Sequence, residues 1–209
     1  MKELLIVGAG GFGRELLQWS KEINEIEPRW NIKGFLDDDL HALDGYDCDC
    51  EIVGKISEWQ PSENEEFVIA LGFPEVKKKV IGSLLERGAE IVSLIHPDAH
   101  IGGFCNIGKG CVIYPDTRIT VNATIGDYVT ILAQNFVGHD ATIGSYSTIF
   151  GNCSVNGHVE IGESVLLNNS ASTVPSIKIG DGAVIGAGSF VISNVRPGRH
   201  MFGNPAKKL

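Results

Sequence analysis

The second half of the chain carries an aliphatic residue at every sixth position, and the register of this repeat never shifts. Seventeen such positions run from Ile95 to Val191, and sixteen of them hold an aliphatic side chain, Thr173 being the exception. Four residues after each, from Cys105 to Val195, the side chain is nearly always small or β-branched. Glycine directly follows the aliphatic residue at positions 102, 108, 126, 138, 144, 162, 180 and 186.

A period of six residues predicts a triangular parallel β-helix. Three hexapeptides make one coil, with a short strand on each side and a turn at each corner. The aliphatic residue fills the interior, the small residue fits beneath the corner, and coils stack at the ~4.8 Å spacing of hydrogen-bonded strands. Cys105, Cys111 and Cys153 fall on the small inward position, so we interpret them as buried packing residues.

Residues 1–90 follow a different pattern, in which buried strands alternate with helices. The strand segments are Leu4–Val7, Ile32–Leu36 and Phe67–Leu71, and amphipathic helical patterns follow the first and the third. This alternation predicts a small doubly wound α/β domain, with ligands beyond the carboxyl ends of its strands. We therefore expect a Rossmann-like N-terminal domain, 1–90, and a β-helix domain with a short C-terminal tail, 91–209.

A glycine-rich loop joins the first strand to the first helix. Gly8, Gly10 and Gly13 satisfy the pattern G-x-G-x-x-G in that position. Such a loop brings backbone N–H groups and a helix N-terminus to a phosphate. The motif alone points to a dinucleotide, but about 90 residues are too few for the full two-half dinucleotide fold. A tight turn without a ligand is the alternative interpretation.

Composition narrows the possible partners. The net charge of the 209 residues is −9, which argues against nucleic acid but leaves room for a small anionic ligand at a local site. There is neither an apolar run near ~18 residues nor a signal-peptide pattern, so we expect a cytoplasmic protein that does not enter a membrane. The five cysteines include no pair of CxxC motifs, so we expect neither a structural metal nor a disulfide framework.

His139 is the strongest candidate for acid–base chemistry among six histidines. It stands two residues after inward Val137, which predicts an outward position at a coil corner. The ordinary histidine pKa near ~6.5 suits a general base at neutral pH. Asp140 reaches His139 only if the chain turns there, because adjacent residues of a straight strand point to opposite faces. His158 lies one coil further on, either against a ligand or in solvent.

The two halves together resemble the bacterial hexapeptide-repeat sugar O-/N-acetyltransferases, which include UDP-4-amino-sugar N-acetyltransferases, perosamine N-acetyltransferases and sialic-acid O-acetyltransferases. The segments that carry the resemblance are LLIVGAGGFGRE, FLDD, VIALGFPEVKKK, IVSLIHPDAHIG, GHDATIG, IGDGAVIGAGSFV and GNPAKKL. It implies a left-handed β-helix, acetyl-CoA as co-substrate, a nucleotide sugar as acceptor, and a homotrimer with active sites between subunits.

The resemblance also implies roles for individual residues. His139 is then the general base and Asp140 the acid that orients it. The residues implied in nucleotide-sugar binding are Gly10, Gly11, Phe12, Gly13, Arg14, Asp37, Asp38 and Gly72. Those implied in acetyl-CoA binding are Thr148, Gly157, His158, Gly186 and Lys207. The sequence departs from the family at Thr148, where a second histidine is frequent, and at Leu132, where some members have asparagine.

These observations predict transfer of acetyl from acetyl-CoA to the amino group of a nucleotide-linked sugar. The departures from the family leave open an O-acetyltransferase that acts on free sialic acid or on serine. A trimeric scaffold with a nucleotide-sensing domain is a non-enzymatic alternative, which would not require His139 and Asp140 at an outward corner. A dinucleotide-dependent oxidoreductase is favoured only by the glycine loop.

Overall fold

The computed structural model describes all 209 residues, which form two compact units, Met1–Leu94 and Ile95–Leu209. The first unit is an α/β domain with a five-stranded parallel sheet in the order β3-β2-β1-β4-β5. Its elements are β1 (Lys2–Val7), α1 (Gly11–Ile26), β2 (Trp30–Leu36), β3 (Ile52–Gly54), β4 (Glu65–Ile69), α2 (Pro74–Glu86) and β5 (Glu90–Ile91). The sequence pattern did not predict the short edge strands β3 and β5.

The central strand β1 explains where a ligand can bind on this domain. Residues Leu4–Val7 have no exposed surface, as expected for a parallel strand covered on both faces. The chain moves from β1 to β2 and β3 on one side, and β4 and β5 lie on the other. Strand order therefore reverses between β1 and β4, and the loops beyond their carboxyl ends, including Gly8–Gly13, border the crevice typical of this fold.

The second unit is a parallel β-helix whose strands form three sheets. Nearly all of its strands contain two residues, and those from β6 to β23 pair with a strand one coil away, as Arg118 does with Phe136 and Thr142 with Glu160. The strands are Leu94–Ile95 (β6), His100–Ile101 (β7), Asn106–Ile107 (β8), Val112–Ile113 (β9), Arg118–Ile119 (β10), Thr124–Ile125 (β11), Thr130–Ile131 (β12), Phe136–Val137 (β13), Thr142–Ile143 (β14), Thr148–Ile149 (β15), Ser154–Val155 (β16), Glu160–Ile161 (β17), Leu166–Leu167 (β18), Ser172–Thr173 (β19), Lys178–Ile179 (β20), Val184–Ile185 (β21), Phe190–Val191 (β22), His200–Phe202 (β23) and Lys207–Lys208 (β24).

The three sheets correspond to the three sides of the triangle. One contains every third strand from β6 to β21 and ends with β23 and β24, and the others run from β7 to β22 and from β8 to β20. Only the last pair, β23 and β24, is antiparallel. The predicted fold class, an α/β domain followed by a left-handed parallel β-helix, is confirmed.

The interior of the β-helix consists of the residues that the six-residue period marked as inward. From Ile113 to Val191 every aliphatic position is buried, and so is every small position from Cys111 to Val195. Burial raises the pKa of the Cys153 thiol to about 11, so this cysteine is held in its neutral form. The prediction that Cys111 and Cys153 are packing residues is confirmed, while Cys105 is half-buried against the same core.

The corners depend on a backbone conformation that most residues avoid. Non-glycine residues with φ near +60° recur at six-residue spacing, among them Asn122, Asp140 and His158. This left-handed region turns the chain sharply from one sheet to the next. At Gly138, a Cβ atom would lie 2.5 Å from the backbone nitrogen of Gly157, so glycine at this position allows the two coils to approach closely.

Neither helix of the chain combines the length and apolar character that a membrane-spanning segment requires.

The inward and outward positions of β14 allow a matched test of the core. Ile143 has no exposed surface and Thr142, its neighbour in the strand, is exposed. We expect Ile143→Ala to lower the free energy of unfolding by about 2–5 kcal/mol, because it removes buried methyl groups and leaves a cavity. Thr142→Ala should change it by less than about 0.5 kcal/mol. Denaturant titration followed by circular dichroism measures both; equal effects would contradict the assignment of the core.

Candidate active site

His139 and Asp140 meet at the corner between β13 and β14. Asp140 adopts φ 58°, and this turn brings its carboxylate Oδ2 to 2.7 Å from His139 Nδ1. The side chains remain accessible, with 57% of His139 and 38% of Asp140 exposed. The turn that the sequence required for their contact is therefore present.

This hydrogen bond fixes which imidazole nitrogen is free. An ionised carboxylate only accepts hydrogen bonds, so Nδ1 of His139 carries the proton and Nε2 of the neutral ring keeps its lone pair. The hydrogen bond from His139 holds the pKa of Asp140 below its ordinary value, and the charge of His158 and the amide of Asn122 act in the same direction. Asp140 is thus an anion at neutral pH that orients the His139 ring.

His158 belongs to the same cluster, one coil above Asp140. Both residues occupy left-handed corner positions, and His158 Nε2 lies 3.7 Å from Asp140 Oδ2. The rings of His158 and His139 meet edge to face, with centroids 5.0 Å apart. Asn122 occupies the corresponding corner one coil below. The sequence analysis missed Asn122, although counting back one coil from Asp140 finds it.

Gly157 provides the space in which the His139 ring lies. A Cβ atom at Gly157 would be 2.7 Å from His139 Nε2 and 2.8 Å from Cε1, well inside van der Waals contact. The imidazole therefore packs over the next coil, with its free nitrogen beside the Gly157 backbone. Any larger residue at 157 would displace the ring or cover Nε2.

His139, Asp140 and His158 are also of a type that binds transition metals. One ligand atom from each lies within 4.8 Å of the others, and all three residues are exposed. The 2.7 Å contact between His139 and Asp140 is a charge-assisted hydrogen bond, which occupies Nδ1 and one carboxylate oxygen. The arrangement is therefore that of an imidazole oriented by a carboxylate.

The other residues implied in acetyl-CoA binding do not join this cluster. Thr148 lies in β15, on a different side of the triangle, and has no exposed surface. Gly186 packs under Phe202, whose Cδ2 would be 2.4 Å from an added Cβ, and Lys207 pairs with Phe202 across β23 and β24. Within one chain the structure thus separates Thr148, and the C-terminal pair Gly186 and Lys207, from His139.

In the glycine loop of the N-terminal domain, Gly13 is tightly packed, whereas Gly10 and Gly11 have free space around them. A Cβ on Gly13 would lie 2.0 Å from the Gly8 carbonyl oxygen, so Gly13 allows α1 to pack closely against the end of β1. By contrast, a Cβ on Gly10 meets nothing within 4 Å, and one on Gly11 meets only the end of Arg14 at 3.9 Å. No side chain caps the N-terminus of α1. The end of α1 at Gly10 and Gly11 is therefore open, as an anion site requires.

Asp37 and Asp38 have structural partners beside this loop. Asp37 accepts hydrogen bonds from the N–H groups of Ala9, at 2.8 Å, and Asp39, at 2.9 Å. Asp38 accepts hydrogen bonds from the N–H and the hydroxyl of Ser57, both at 2.9 Å. Asp38 also borders a cavity of about 340 Å³ lined by Ile56, Val76, Lys79, Val80, Ser83 and Arg87. Asp37 thus holds the glycine loop in shape, whereas Asp38 keeps one oxygen free.

Phe12, Arg14 and Gly72 complete the set implied in nucleotide-sugar binding. All three are half-buried; Phe12 and Arg14 lie in the first turn of α1, and Gly72 follows β4, the neighbour of β1. The Arg14 guanidinium stacks on Tyr46, with 3.7 Å between its carbon and the ring centroid. The sequence analysis missed Tyr46, and no pattern in the sequence marks it.

Fold and site together define a two-domain protein of the hexapeptide-repeat class. Residues 3–84 match the family model of the PglD N-terminal domain. No curated protein sequence matches the chain significantly.

Solved structures share the fold of the whole chain. WeeI from Acinetobacter baumannii AYE is 26% identical with a TM-score of 0.87, and the match covers 100% of both chains. The acetyltransferase domain of PglB from Neisseria gonorrhoeae FA1090 is 23% identical with a TM-score of 0.89, again over 100% of both. A mutant of perosamine N-acetyltransferase from Caulobacter crescentus, in complex with CoA and GDP-perosamine, is 20% identical with a TM-score of 0.89, over 100% of this chain and 97% of that one.

These matches confirm the resemblance to the bacterial sugar acetyltransferases that the sequence motifs indicated.

Gly157 and Gly103 allow a matched test of the His139 geometry. They lie at the same corner of the triangle, three coils apart, but a Cβ at Gly103 meets nothing within 4 Å. We expect Gly157→Ala to push the His139 ring away and break its hydrogen bond to Asp140, while Gly103→Ala leaves both intact. Long-range ¹H–¹⁵N spectra of the imidazole report the protonation and hydrogen bonding of each ring nitrogen. Unchanged His139 signals in Gly157→Ala would contradict the close approach.

Proposed function

We propose that this chain is an acetyltransferase that moves acetyl from acetyl-CoA to the amino group of a nucleotide-linked sugar. The observation that carries the proposal is the hydrogen bond between His139 Nδ1 and Asp140, which leaves Nε2 as a free base at an accessible corner. The perosamine N-acetyltransferase of the same fold, in complex with CoA and GDP-perosamine, supports the choice of co-substrate and acceptor.

Acetyl transfer from a thioester requires removal of one proton from the attacking amine. The amine nitrogen bonds to the thioester carbonyl carbon, and His139 Nε2 takes the proton that the nitrogen must lose. The carbon–sulfur bond then breaks, and the proton passes from Nε2 to the leaving CoA sulfur. Asp140 stabilises the imidazolium formed between these steps, as an orienting carboxylate does in other histidine bases. No metal or redox group takes part in this sequence.

The N-terminal domain is proposed to bind the nucleotide part of the acceptor. The open first turn of α1, at Gly10 and Gly11, offers N–H donors and the positive end of a helix dipole to a diphosphate. Arg14 adds a permanent positive charge at the same place. Asp38 and Gly72 lie beyond the carboxyl ends of β2 and β4, where this fold binds nucleosides.

The residues proposed to bind acetyl-CoA lie in different parts of the β-helix domain. Gly157 and His158 lie in the His139 cluster, where a thioester must come. Gly186 and Lys207 lie near the C-terminus, where Lys207 offers a cation to a CoA phosphate. Thr148 has no exposed surface, so the role expected for it at the acetyl group does not hold, and it is left out of the proposed site. A homotrimer is proposed on the resemblance to the sugar acetyltransferases, and it is a closed symmetry that a triangular prism accommodates.

A thiol-release assay tests the proposed function directly. Purified protein with acetyl-CoA is offered amino-sugar nucleotides with uracil, thymine or guanine bases, and in parallel free sialic acid and serine. We expect CoA release only with a nucleotide-linked amino sugar, and light scattering should give the mass of three chains. Release with sialic acid or serine would favour O-acetylation, and no release with any acceptor would favour a scaffold. Nicotinamide titration without binding removes the oxidoreductase.

His139→Ala tests the base. We expect a folded protein whose turnover is lower by roughly 10²-fold or more, because the variant lacks the group that accepts the amine proton. His200→Ala is the control, since His200 is exposed and lies in β23, outside the cluster. Steady-state CoA release with both substrates saturating gives the comparison. Near wild-type turnover of a correctly folded His139→Ala protein would remove His139 from the mechanism.

Gly11→Val tests the anion site. A branched side chain at this open position should obstruct the approach of a diphosphate to the helix N-terminus and weaken sugar-nucleotide binding about tenfold or more. Affinity for acetyl-CoA should stay the same. Gly82→Val is the control, because Gly82 lies in α2 and a Cβ there also meets nothing within 4 Å. Calorimetry that shows equal loss for both ligands would mean general damage instead.

A further inference from the structure

Tyr46 holds the Arg14 side chain by a contact that leaves its charge available. The guanidinium carbon lies over the Tyr46 ring, 3.7 Å from its centroid, which is within the range of a cation–π contact. No ion pair joins Arg14 to a carboxylate in this structure. The contact is with an aromatic ring and not with a carboxylate, so it leaves the N–H donors of the guanidinium without an anionic acceptor. The edge that recognises phosphate oxygens therefore stays free.

The free edge of Arg14 lies at the open end of α1. The position of a Cβ on Gly11 is 3.9 Å from Arg14 Nη2, and nothing else lies within 4 Å of it. Arg14 is itself part of the first turn, where its N–H donates to the Gly10 carbonyl at 3.1 Å. A guanidinium fork and the N–H groups of a helix N-terminus thus border the same space, a combination suited to a diphosphate.

The segment that carries Tyr46, residues 37–50, is fixed to the same helix and loop. Asp37 joins it to Ala9 of the glycine loop, and Asp39 accepts a hydrogen bond from the His41 N–H at 3.0 Å. At the other end Asp49 forms an ion pair with Lys21 of α1. The Tyr46 N–H donates to Leu43 at 3.1 Å. Tyr46 is therefore held over Arg14 by a tethered turn.

The segment that carries Tyr46 is rich in carboxylates, any of which could form an ion pair with Arg14 in place of the contact with the ring. Residues 37–50 contain six aspartates, at positions 37, 38, 39, 44, 47 and 49. Any of these carboxylates paired with Arg14 would consume its donors and cancel its charge. An aromatic ring restrains the guanidinium without doing either, which matters for an anionic ligand on a protein of net charge −9.

We infer that Tyr46 is a positioning residue that holds the Arg14 guanidinium in place for the diphosphate of the nucleotide sugar. This inference rests on the proposed function, since it concerns the same nucleotide site. Tyr46 acts through Arg14 and does not recognise the nucleobase.

A double-mutant cycle on Arg14 and Tyr46 tests the inference, with UDP and GDP as probes. Tyr46→Leu removes the ring, Tyr46→Phe keeps it without the hydroxyl, and Arg14→Ala removes the cation. All these positions are at least partly exposed, and thermal unfolding checks that each variant is folded. Calorimetry gives the dissociation constants for UDP, GDP and acetyl-CoA, and steady-state assays give kcat and KM.

We expect Tyr46→Leu to weaken binding of the nucleoside diphosphate roughly three- to tenfold, as expected for loss of a cation–π contact. KM for the sugar nucleotide should rise in parallel, with kcat and the affinity for acetyl-CoA unchanged. Tyr46→Phe should bind as the wild type does. Arg14→Ala should bind more weakly than Tyr46→Leu, and Tyr46→Leu should have no further effect in the Arg14→Ala background.

Two results would overturn the inference while leaving the proposed function intact. One is a wild type that binds a nucleoside diphosphate and a Tyr46→Leu variant that binds it equally well. The other is an additive double mutant, which would mean that Tyr46 contacts the ligand independently of Arg14. A wild type that binds neither UDP nor GDP but retains acetyl-CoA would instead overturn the nucleotide-sugar proposal, and this inference with it.

Discussion

The coil-to-coil hydrogen bonding of the β-helix is the constraint on which the rest of the structure depends. Each strand pairs with the strand one coil away in an unbroken register, so every side chain has its counterpart directly above and below. A side chain must therefore fit against the residues that lie one coil above and one coil below it, which together form a column along the β-helix. The column Gly103, Val121, His139, Gly157 illustrates the rule, because the histidine ring fits only where glycine follows one coil later.

The same register assembles the candidate active site from residues distant in sequence. Asn122, Asp140 and His158 share the corner conformation near φ +60°, and this conformation turns their side chains outward along one edge. Asp140 consequently lies between two histidines, and the hydrogen bond from His139 holds its pKa below the ordinary value. The left-handed corner that builds the fold is thus also what orients the His139 ring.

The N-terminal domain uses its carboxylates differently. Asp37 is not free for a ligand but ties the glycine loop to the segment that follows β2, so it shapes the loop that we propose as an anion site. Gly13 acts in the same way through the close packing of α1 on β1. What remains open is the helix N-terminus at Gly10 and Gly11 with the Arg14 guanidinium beside it. Gly13 and Asp37 thus maintain the conformation of the loop, whereas Gly10, Gly11 and Arg14 are the residues that we propose to contact the ligand.

The sequence by itself determined the period, the interior and the corner of the β-helix, because inward positions hold almost only aliphatic or small side chains and the register never shifts. It also determined the strand–loop–helix order around Gly8–Gly13. Only the tertiary structure decided that Asp140 turns toward His139, that Thr148 is buried, and that Tyr46 stacks on Arg14. These contacts depend on backbone turns and on side chains far apart in sequence, and no local pattern encodes such distances.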